Sequence, residues 1–277
     1  MCSSDLAGKT TTIEILEGLL APTSGSVEVL GLSWATDERR LREQIGVSLQ
    51  ETRLADRLTV LETVRLFRSF YPRGIEPLAA LEMVGLVPKA AAWVNAISGG
   101  ERQRLAVATA IVGWPKLLFL DEPTTGLDPR SRIGLWEVIR DLVADGTTVL
   151  LTTQYLEEAD QLAEEIVVID RGRAIATGTS DQLKDQVGGD RLEVVVGSAS
   201  VLPTAVDALR RIASGEVSVN ADQRRVTAPV TGGSTVLVDA VRELDTAGVS
   251  IDDVVLRRPT LDDVFLTLTG HAAEEGS

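Results

Sequence analysis

Two carboxylates, Asp121 and Glu122, end a run of four apolar residues at positions 117–120. Such a run is typical of a strand that is buried on both faces of a parallel sheet. Ligands of open α/β sheets bind beyond the carboxyl ends of the strands, so both acids are expected at the edge of a site. One carboxylate suits the shell of a metal ion and the other suits a water molecule, as a metal-nucleotide requires. By itself the pair is equally compatible with a strand that has a solvated acidic end.

Near the start of the chain, Gly8, Lys9 and Thr10 match the second half of the phosphate-loop pattern G-x-x-x-x-G-K-[ST]. Lysine in this pattern reaches the β- and γ-phosphates of a nucleotide, and the threonine hydroxyl contacts Mg²⁺. The first glycine of the pattern is replaced by Ser3. A phosphate loop follows a buried strand, and nothing precedes Met1. The sequence is therefore interpreted as truncated or mis-started at its N-terminus.

A third segment, Ser98-Gly99-Gly100-Glu101, has the spacing of a capping box at the start of a helix. A plain helix start is one interpretation. The other is an anion site, because unpaired N–H groups and the positive end of the helix dipole attract negative charge. Two glycines allow a ligand to approach the backbone closely.

In chain order the three segments are the Gly-Lys-Thr half-loop, the Ser-Gly-Gly helix start and the Asp-Glu strand end. In that order they resemble the ATP-binding cassette ATPases, and the resemblance runs from about residue 7 to residue 178. The resemblance favours the anion-site interpretation of Ser98–Gly100, which in this family caps the γ-phosphate of ATP held by the opposite protomer. It implies that ATP and Mg²⁺ bind at the acid-tipped strand. It also implies that Glu122 polarises the attacking water and that two cassettes face each other head to tail.

The resemblance assigns a role to each matching residue. The catalytic residues that it implies are Glu122, Gln50 and Gln154. The nucleotide-binding residues are Gly8, Lys9, Thr10, Thr11, Ser98, Gly99, Gly100 and Asp128, the last at the dimer seam. The metal-binding residues are Thr10, Gln50 and Asp121.

Gln154 stands where most cassette ATPases carry a histidine that contacts the γ-phosphate, and the chain's single histidine, His271, is in the tail. Segments 154–163 and 259–270 resemble the daunorubicin-resistance group of antibiotic exporters, which carry glutamine at this place. An amide still donates one hydrogen bond. Losing one transition-state donor costs about 10²–10³ in rate, so exchanging one donor for another should cost less.

The predicted fold is an α/β P-loop NTPase core of the ABC ATPase type with a helical subdomain, followed by a small α+β accessory domain of ferredoxin-like βαββαβ order. The predicted segments are the ATPase domain at 1–184, its helical subdomain at about 54–110, a linker at 185–190, the accessory domain at 191–270 and a tail at 271–277. Within the core, a helix from Thr10 is expected to end near Pro22, and 26–31 is expected to form a strand. No catalytic constellation is present in the accessory domain, for which a dimer-supporting role is the default and a regulatory ligand site the alternative.

Composition limits the partners. With 27 Lys and Arg against 41 Asp and Glu, the 277 residues carry a formal charge of -14, which argues against nucleic acid or anionic lipid as the main partner. A single cysteine, Cys2, excludes an internal disulfide and fits a reducing compartment. No apolar run approaches the roughly 20 residues of a membrane helix. We therefore expect a cytoplasmic chain that reaches the inner face of the membrane through a separate permease subunit.

Three functions follow from these patterns. The first is the ATP-hydrolysing subunit of an ABC exporter that powers efflux of a drug or antibiotic. The second, a cassette protein of translation or DNA repair, is disfavoured because paired cassettes or long coiled-coil insertions are not found. The third is a catalytically defective nucleotide-binding or interaction fragment, suggested by the incomplete phosphate loop.

Overall fold

The computed structural model describes residues 8–49, 54–186, 189–231 and 233–269. The chain divides into two compact units. The first contains the chain up to Leu162 together with Ile169–Arg173, and the second contains Ala163–Val168 together with the chain from Ala174 onward.

A parallel sheet forms the centre of the first unit. Its strand order is β1 (Ile45–Ser48), β2 (Leu117–Asp121), β3 (Thr148–Thr152). The helices of this unit are α1 (Lys9–Leu16), α2 (Trp34–Arg42), α3 (Val60–Arg68), α4 (Pro77–Met83), α5 (Gly99–Ile111), α6 (Pro129–Ala144) and α7 (Leu156–Leu162).

Strand β2 is buried along its whole length, as its apolar run predicts. Because side chains alternate across a strand, Leu118 and Leu120 pack in one core with residues of α3 to α6. Leu117 and Phe119 pack on the other face with residues of α1 and α2. Helices on both faces of a parallel sheet form the α/β architecture that the sequence predicts.

The capping box predicted at Ser98 is present, and a second one begins α3. Thr59 caps α3 with Glu62, and Ser98 caps α5 with Glu101. Between α3 and α5 the chain forms α4 and two short 3-10 helices, Val87–Lys89 and Val94–Ala96. The region predicted as a helical subdomain therefore consists of short helices, whose buried residues belong to the same core as Leu118.

The first helix is shorter than predicted. Helix α1 ends at Leu16, and Gly18 follows with a φ of 76°. A left-handed glycine after the last turn is a common helix stop, since it lets the chain turn away without steric cost. Leu20 lies outside the helix and is 45% exposed, so the expectation that the helix continues toward Pro22 was wrong.

The strand expected at 26–31 is also absent. Leu30 and Gly31 both have positive φ values, 54° and 70°, which form a tight two-residue turn. The flanking residues Val29 and Leu32 exchange two backbone hydrogen bonds of 2.9 Å as an isolated bridge. The alternating pattern predicts one strand, but the chain reverses in the middle of it.

The chain then forms a two-stranded sheet of β4 (Ile166–Asp170) and β5 (Arg173–Gly178), joined by a turn at Arg171 and Gly172. Helix α8 (Ser180–Asp185) follows. The segment predicted as a linker thus begins on the last residue of α8 and ends on the first residue of β6.

In the second unit, the chain continues as β6 (Asp190–Val196), α9 (Leu202–Leu209), β7 (Ser218–Asn220), β8 (Arg225–Val230), α10 (Ser234–Thr246), β9 (Ile251–Arg257) and α11 (Leu261–Thr269). The sheet order is β7-β8-β6-β9, and all neighbouring strands are antiparallel. From β6 to β9 the elements follow the βαββαβ order of the prediction. The core of this unit packs α9 and α10 against the alternate residues Leu192, Val194 and Val196.

In the parts of the chain that the structure describes, none of the helices has the length and apolar character needed to cross a membrane.

Candidate functional site

The candidate site lies at the carboxyl end of β2. Asp121 is the last residue of this strand and is paired in register with Thr152, the last residue of β3. Asp121 and Glu122 are 7% and 9% exposed. The buried strand therefore carries both acids to the sheet edge but leaves only a small part of each in contact with solvent.

Thr152 contacts both members of the acidic pair. Its hydroxyl donates a hydrogen bond to Oδ1 of Asp121. The backbone N–H of Glu122 donates to the carbonyl and to the hydroxyl oxygen of Thr152, both at 3.1 Å. Glu122 has a φ of 45°, a left-handed conformation that costs energy in a residue with a side chain. These bonds hold the turn in which Glu122 leaves the strand.

The carboxylate of Glu122 is surrounded by polar groups. Its Oε2 accepts hydrogen bonds from the hydroxyl of Thr125 at 3.0 Å and from the side-chain amide of Gln154 at 3.3 Å. The Nζ of Lys9 lies 3.9 Å from the other oxygen, Oε1, and donates to the carbonyl of Thr153 at 3.4 Å. Lysine, acid and amide thus meet at one point.

Lys9 is the first residue of α1, whose N-cap residue is Gly8 with a φ of 88°. Gly8 has no side chain to cap this helix start, so within the described part of the chain the N–H groups of the first turn receive no side-chain cap from the N-cap residue. A Cβ added to Gly8 would lie 3.2 Å from the backbone Cα of Gly172, so the close approach also requires glycine. Thr10 and Thr11 are exposed on the same first turn. Such a helix start attracts anions.

The second predicted anion site is the start of α5. Ser98 accepts a hydrogen bond from the N–H of Glu101 at 3.2 Å, and Glu101 accepts one from the N–H of Ser98 at 2.8 Å. The hydrogen bond from the backbone N–H of Ser98 is the main cause of a lowered pKa for the Glu101 carboxyl. A Cβ on Gly99 would meet open space, whereas a Cβ on Gly100 would lie 2.7 Å from the hydroxyl of Ser131.

Asp128 is the N-cap of α6. Its carboxylate accepts from the N–H groups of Arg130 and Ser131, each at 3.1 Å, and from the hydroxyl of Ser131 at 2.6 Å. These hydrogen bonds, with that from the Ser131 hydroxyl the strongest, lower the pKa of Asp128. Ser131 therefore touches Asp128 on one side and Gly100 on the other.

The predicted residues thus form two groups. Lys9, Asp121, Glu122 and Gln154 meet at the ends of β2 and β3, with Gly8, Thr10 and Thr11 on the adjoining helix start. The second group joins Ser98, Gly99 and Gly100 to Asp128 through Ser131. Gln50, predicted as a metal and water ligand, lies outside the described residues. The first group can hold a polyphosphate by its cationic side and orient a water molecule at its acidic side.

Three residues of this region were not singled out from the sequence. Thr152 and Thr125 hydrogen-bond to the acidic pair. Glu17, just after α1, is 5% exposed, and neither of its carboxylate oxygens has a hydrogen-bond partner among the described residues. Burial, then the charges of Asp121 and Glu14, raise the pKa of Glu17 to about 7. The contact of Thr152 with Asp121 depends on the register of β2 with β3, which the sequence alone does not indicate.

Two family models match the chain. The model described as "ABC transporter" matches residues 7–125. The model described as "ATP-binding protein DrrA1-3-like, C-terminal domain" matches residues 178–269.

Curated relatives match over most of their length. The daunorubicin resistance ATP-binding protein DrrA2 of Streptomyces coeruleorubidus is 47% identical, with 97% of this chain and 85% of the relative covered. The doxorubicin resistance ATP-binding protein DrrA of Mycobacterium tuberculosis is 38% identical, with 97% and 83% covered.

Solved structures match the fold over about two thirds of the chain. An ATP-binding subunit of an ABC transporter superposes with a TM-score of 0.58 at 29% identity, covering 66% of this chain and 78% of the other. A dimeric post-hydrolysis state of an ATP-binding cassette bound to ADP and Pi superposes with a TM-score of 0.56 at 29% identity, covering 62% and 81%.

Proposed function

Because the chain belongs to the ABC transporter family, in the group of daunorubicin- and doxorubicin-resistance ATP-binding proteins, we propose that the residues at the ends of β2 and β3 drive a drug exporter. The protein is an ATPase that powers efflux of a drug. The observation that carries the residue assignment is the 3.9 Å contact between Lys9 and Glu122 at the end of a buried strand. It places a phosphate-binding cation beside a carboxylate that can act as a base.

The residues present fit ATP with Mg²⁺. The helix start at Gly8 and Lys9 has a glycine cradle and no side-chain cap, so its N–H groups suit phosphate oxygens. Among the described residues, no three His, Cys, Asp or Glu side chains are grouped to hold a metal ion. This agrees with Mg²⁺, which is commonly held by one or two protein groups together with substrate phosphates. Thr10 would supply a hydroxyl group and Asp121 a carboxylate to the magnesium ion. Gln50 would supply its side-chain amide.

Mg²⁺, when bound, neutralises charge that develops on the phosphates. Lys9 binds the β- and γ-phosphates and, in doing so, releases its contact with Glu122. The Glu122 carboxylate is then available to accept a proton from the attacking water, a contribution of about 10²–10⁴ in rate for a general base. The neighbouring hydroxyl of Thr125 keeps this carboxylate oriented.

Gln154 lies within hydrogen-bonding distance of Glu122 and is exposed. Its amide can donate to the γ-phosphate while its position relative to the base is retained. A neutral donor supports the transition state without titrating near neutral pH, unlike the histidine at this place in most cassettes.

The start of α5 and Asp128 serve a second copy of the chain. Gly99 faces open space, so its backbone is accessible to a ligand that this copy does not itself hold. We therefore assign Ser98, Gly99 and Gly100 to the γ-phosphate of the opposite protomer and Asp128 to the seam. The homodimer closes on two ATP molecules and opens after hydrolysis.

ATP-binding subunits of exporters work with separate membrane permeases. In this chain the energy of closure and opening passes to such a permease, which places the protein at the inner face of the cell membrane. The acidic surface makes direct adhesion to anionic lipid unfavourable, so the permease is the attachment.

Transport in membrane vesicles tests this function. Inside-out vesicles that contain a candidate permease receive ATP and daunorubicin, the probe drug, from outside. ATP-dependent uptake of the drug into the vesicles is followed with added wild-type protein or with Lys9→Ala. We expect transport with the wild type only.

A mixing experiment tests the shared site. Lys9→Ala and Gly99→Glu are each expected to be inactive, and their mixture should recover hydrolysis, since one of the two sites in a mixed dimer keeps both halves intact. Arg39→Ala, at an exposed position of α2, serves as the control variant. Absence of nucleotide binding by the wild type would instead support the inactive-fragment interpretation.

A further inference from the structure

We propose that Thr152 is a positioning residue for hydrolysis, which aligns the metal-binding Asp121 and the base Glu122 with each other. This inference rests on the proposed function. Its structural basis is one hydroxyl that joins both acids: it donates to Oδ1 of Asp121 and accepts from the backbone N–H of Glu122.

A hydroxyl is suited to this place because it is both donor and acceptor. Its donated hydrogen fixes one oxygen of Asp121 and so limits rotation of the carboxylate that is proposed to bind the metal ion. It also accepts a hydrogen bond from the N–H of Glu122. This bond stabilises the Glu122 backbone at a φ of 45°, a conformation that neighbouring contacts must maintain. A valine has almost the same shape but supplies neither bond.

Strand β3 extends this arrangement to the γ-phosphate donor. Residues two apart in an extended chain point to the same side, and Thr152 contacts Asp121 while Gln154 contacts Glu122. The parallel pairing of β2 with β3, with Asp121 opposite Thr152, sets both contacts. One strand end thus aligns the metal ligand, the base and the donor.

Thr152→Val and Thr152→Ser separate the hydroxyl from the methyl group. Steady-state hydrolysis is measured against Mg²⁺ concentration, and urea unfolding checks that each variant is folded. Loss of a residue that hydrogen-bonds to a metal ligand lowers metal affinity or activity by about 10–100-fold. We expect Thr152→Val to lower kcat by about that factor and to raise the Mg²⁺ concentration for half-maximal rate, with the KM for ATP at saturating Mg²⁺ nearly unchanged. Thr152→Ser should restore both.

Thr148→Val is the matched control, because Thr148 is at the exposed start of the same strand. It should keep wild-type kcat and Mg²⁺ requirement. The inference is overturned if Thr152→Val matches wild type, or if Thr152→Ser is as defective as Thr152→Val.

Two readouts separate this inference from the proposed function. If the wild type binds fluorescent mant-ATP but does not hydrolyse it, the proposed function fails. The role of Thr152 is still decided in that case by how mant-ATP binding of the same variants depends on Mg²⁺ concentration. Hydrogen exchange needs no nucleotide: the amide of Glu122 should exchange faster in Thr152→Val than in Thr152→Ser. Equal exchange in the two variants contradicts the inference.

Discussion

The indole N–H of Trp136 donates a hydrogen bond of 2.9 Å to Oε1 of Glu158, and the Glu158 side chain is fully buried. Trp136 lies on α6 and Glu158 on α7, so the bond joins the helix that begins after Asp128 to the helix that follows Gln154. The second oxygen, Oε2, is buried and has no hydrogen-bond partner within the part of the chain that the structure describes. The hydrogen bond from the indole therefore offsets part of the free-energy cost of burying this carboxyl group.

Trp136→Phe should lower the free energy of unfolding by about 2–4 kcal/mol, because a buried polar group loses a partner and some core volume is lost. In a Glu158→Gln background the same substitution should cost at least about 1 kcal/mol less, since an amide is less costly to leave unpaired than a carboxylate. Urea unfolding of the four proteins measures this coupling. Strictly additive effects would show that the hydrogen bond contributes nothing.

Gly100→Ala and Gly99→Ala should differ in stability. The added methyl at position 100 meets the hydroxyl of Ser131 at 2.7 Å and its Cβ at 2.9 Å, whereas the methyl at position 99 meets open space. We expect Gly100→Ala to destabilise the protein by about 1–3 kcal/mol and Gly99→Ala to leave stability within about 0.5 kcal/mol. Thermal unfolding without nucleotide checks this difference, and equal melting temperatures would contradict the packing described.

Glu17 should make stability depend on pH. Because its pKa rises from an ordinary 4.5 to about 7, the folded chain binds its proton more tightly than the unfolded chain. Its favourable effect is complete below pH 4.5 and is lost as pH rises through 7. Glu17→Gln removes the group that must ionise, so the variant should be more stable than wild type at pH 8, by about 1–3 kcal/mol.

At pH 5 the advantage of Glu17→Gln should nearly disappear, because the wild-type carboxyl is then protonated in the folded state. The comparison uses urea unfolding of both proteins at several pH values. Glu14→Gln, on the same helix, is a control that should shift the curve less, since Glu14 is only the third contributor to the pKa of Glu17. A difference between Glu17→Gln and wild type that is constant from pH 5 to pH 8 would refute this assignment.

Gln154→Ala should slow hydrolysis more than it weakens ATP binding. Its side-chain amide donates to Oε2 of Glu122 at 3.3 Å, and loss of one transition-state donor costs about 10²–10³ in kcat. Steady-state kinetics separate kcat from KM. Gln161→Ala on α7 is the control, because the exposed Gln161 side chain accepts a hydrogen bond from Arg140 at 3.4 Å and is not part of the site. An unchanged kcat in Gln154→Ala would remove Gln154 from the site.

Features that depend on near neighbours in sequence were predictable. The burial of β2 follows from four consecutive apolar residues, and the capping box of α5 follows from Ser98 and Glu101 three positions apart. The order of the segments around Lys9 and Glu122 was enough to indicate the family. Each of these signals is contained in a few adjacent residues.

Features that depend on strand register or on a single turn were not. The contact of Thr152 with Asp121 joins residues 31 positions apart and exists only because β2 and β3 pair in this register. The end of α1 was placed too late because Gly18, rather than Pro22, turns the chain. The burial of Glu17 needs the packing of α1 against the sheet, which no local pattern specifies.

The role of Glu122 as the base is tested by magnesium-dependent ATP hydrolysis in Glu122→Gln, with Glu157→Gln, at an exposed position of α7, as the matched control. We expect Glu122→Gln to bind ATP like the wild type but to turn it over at least about 10²-fold more slowly, and Glu157→Gln to be unaffected. Equal turnover by Glu122→Gln and Glu157→Gln would contradict the claim that Glu122 activates the attacking water.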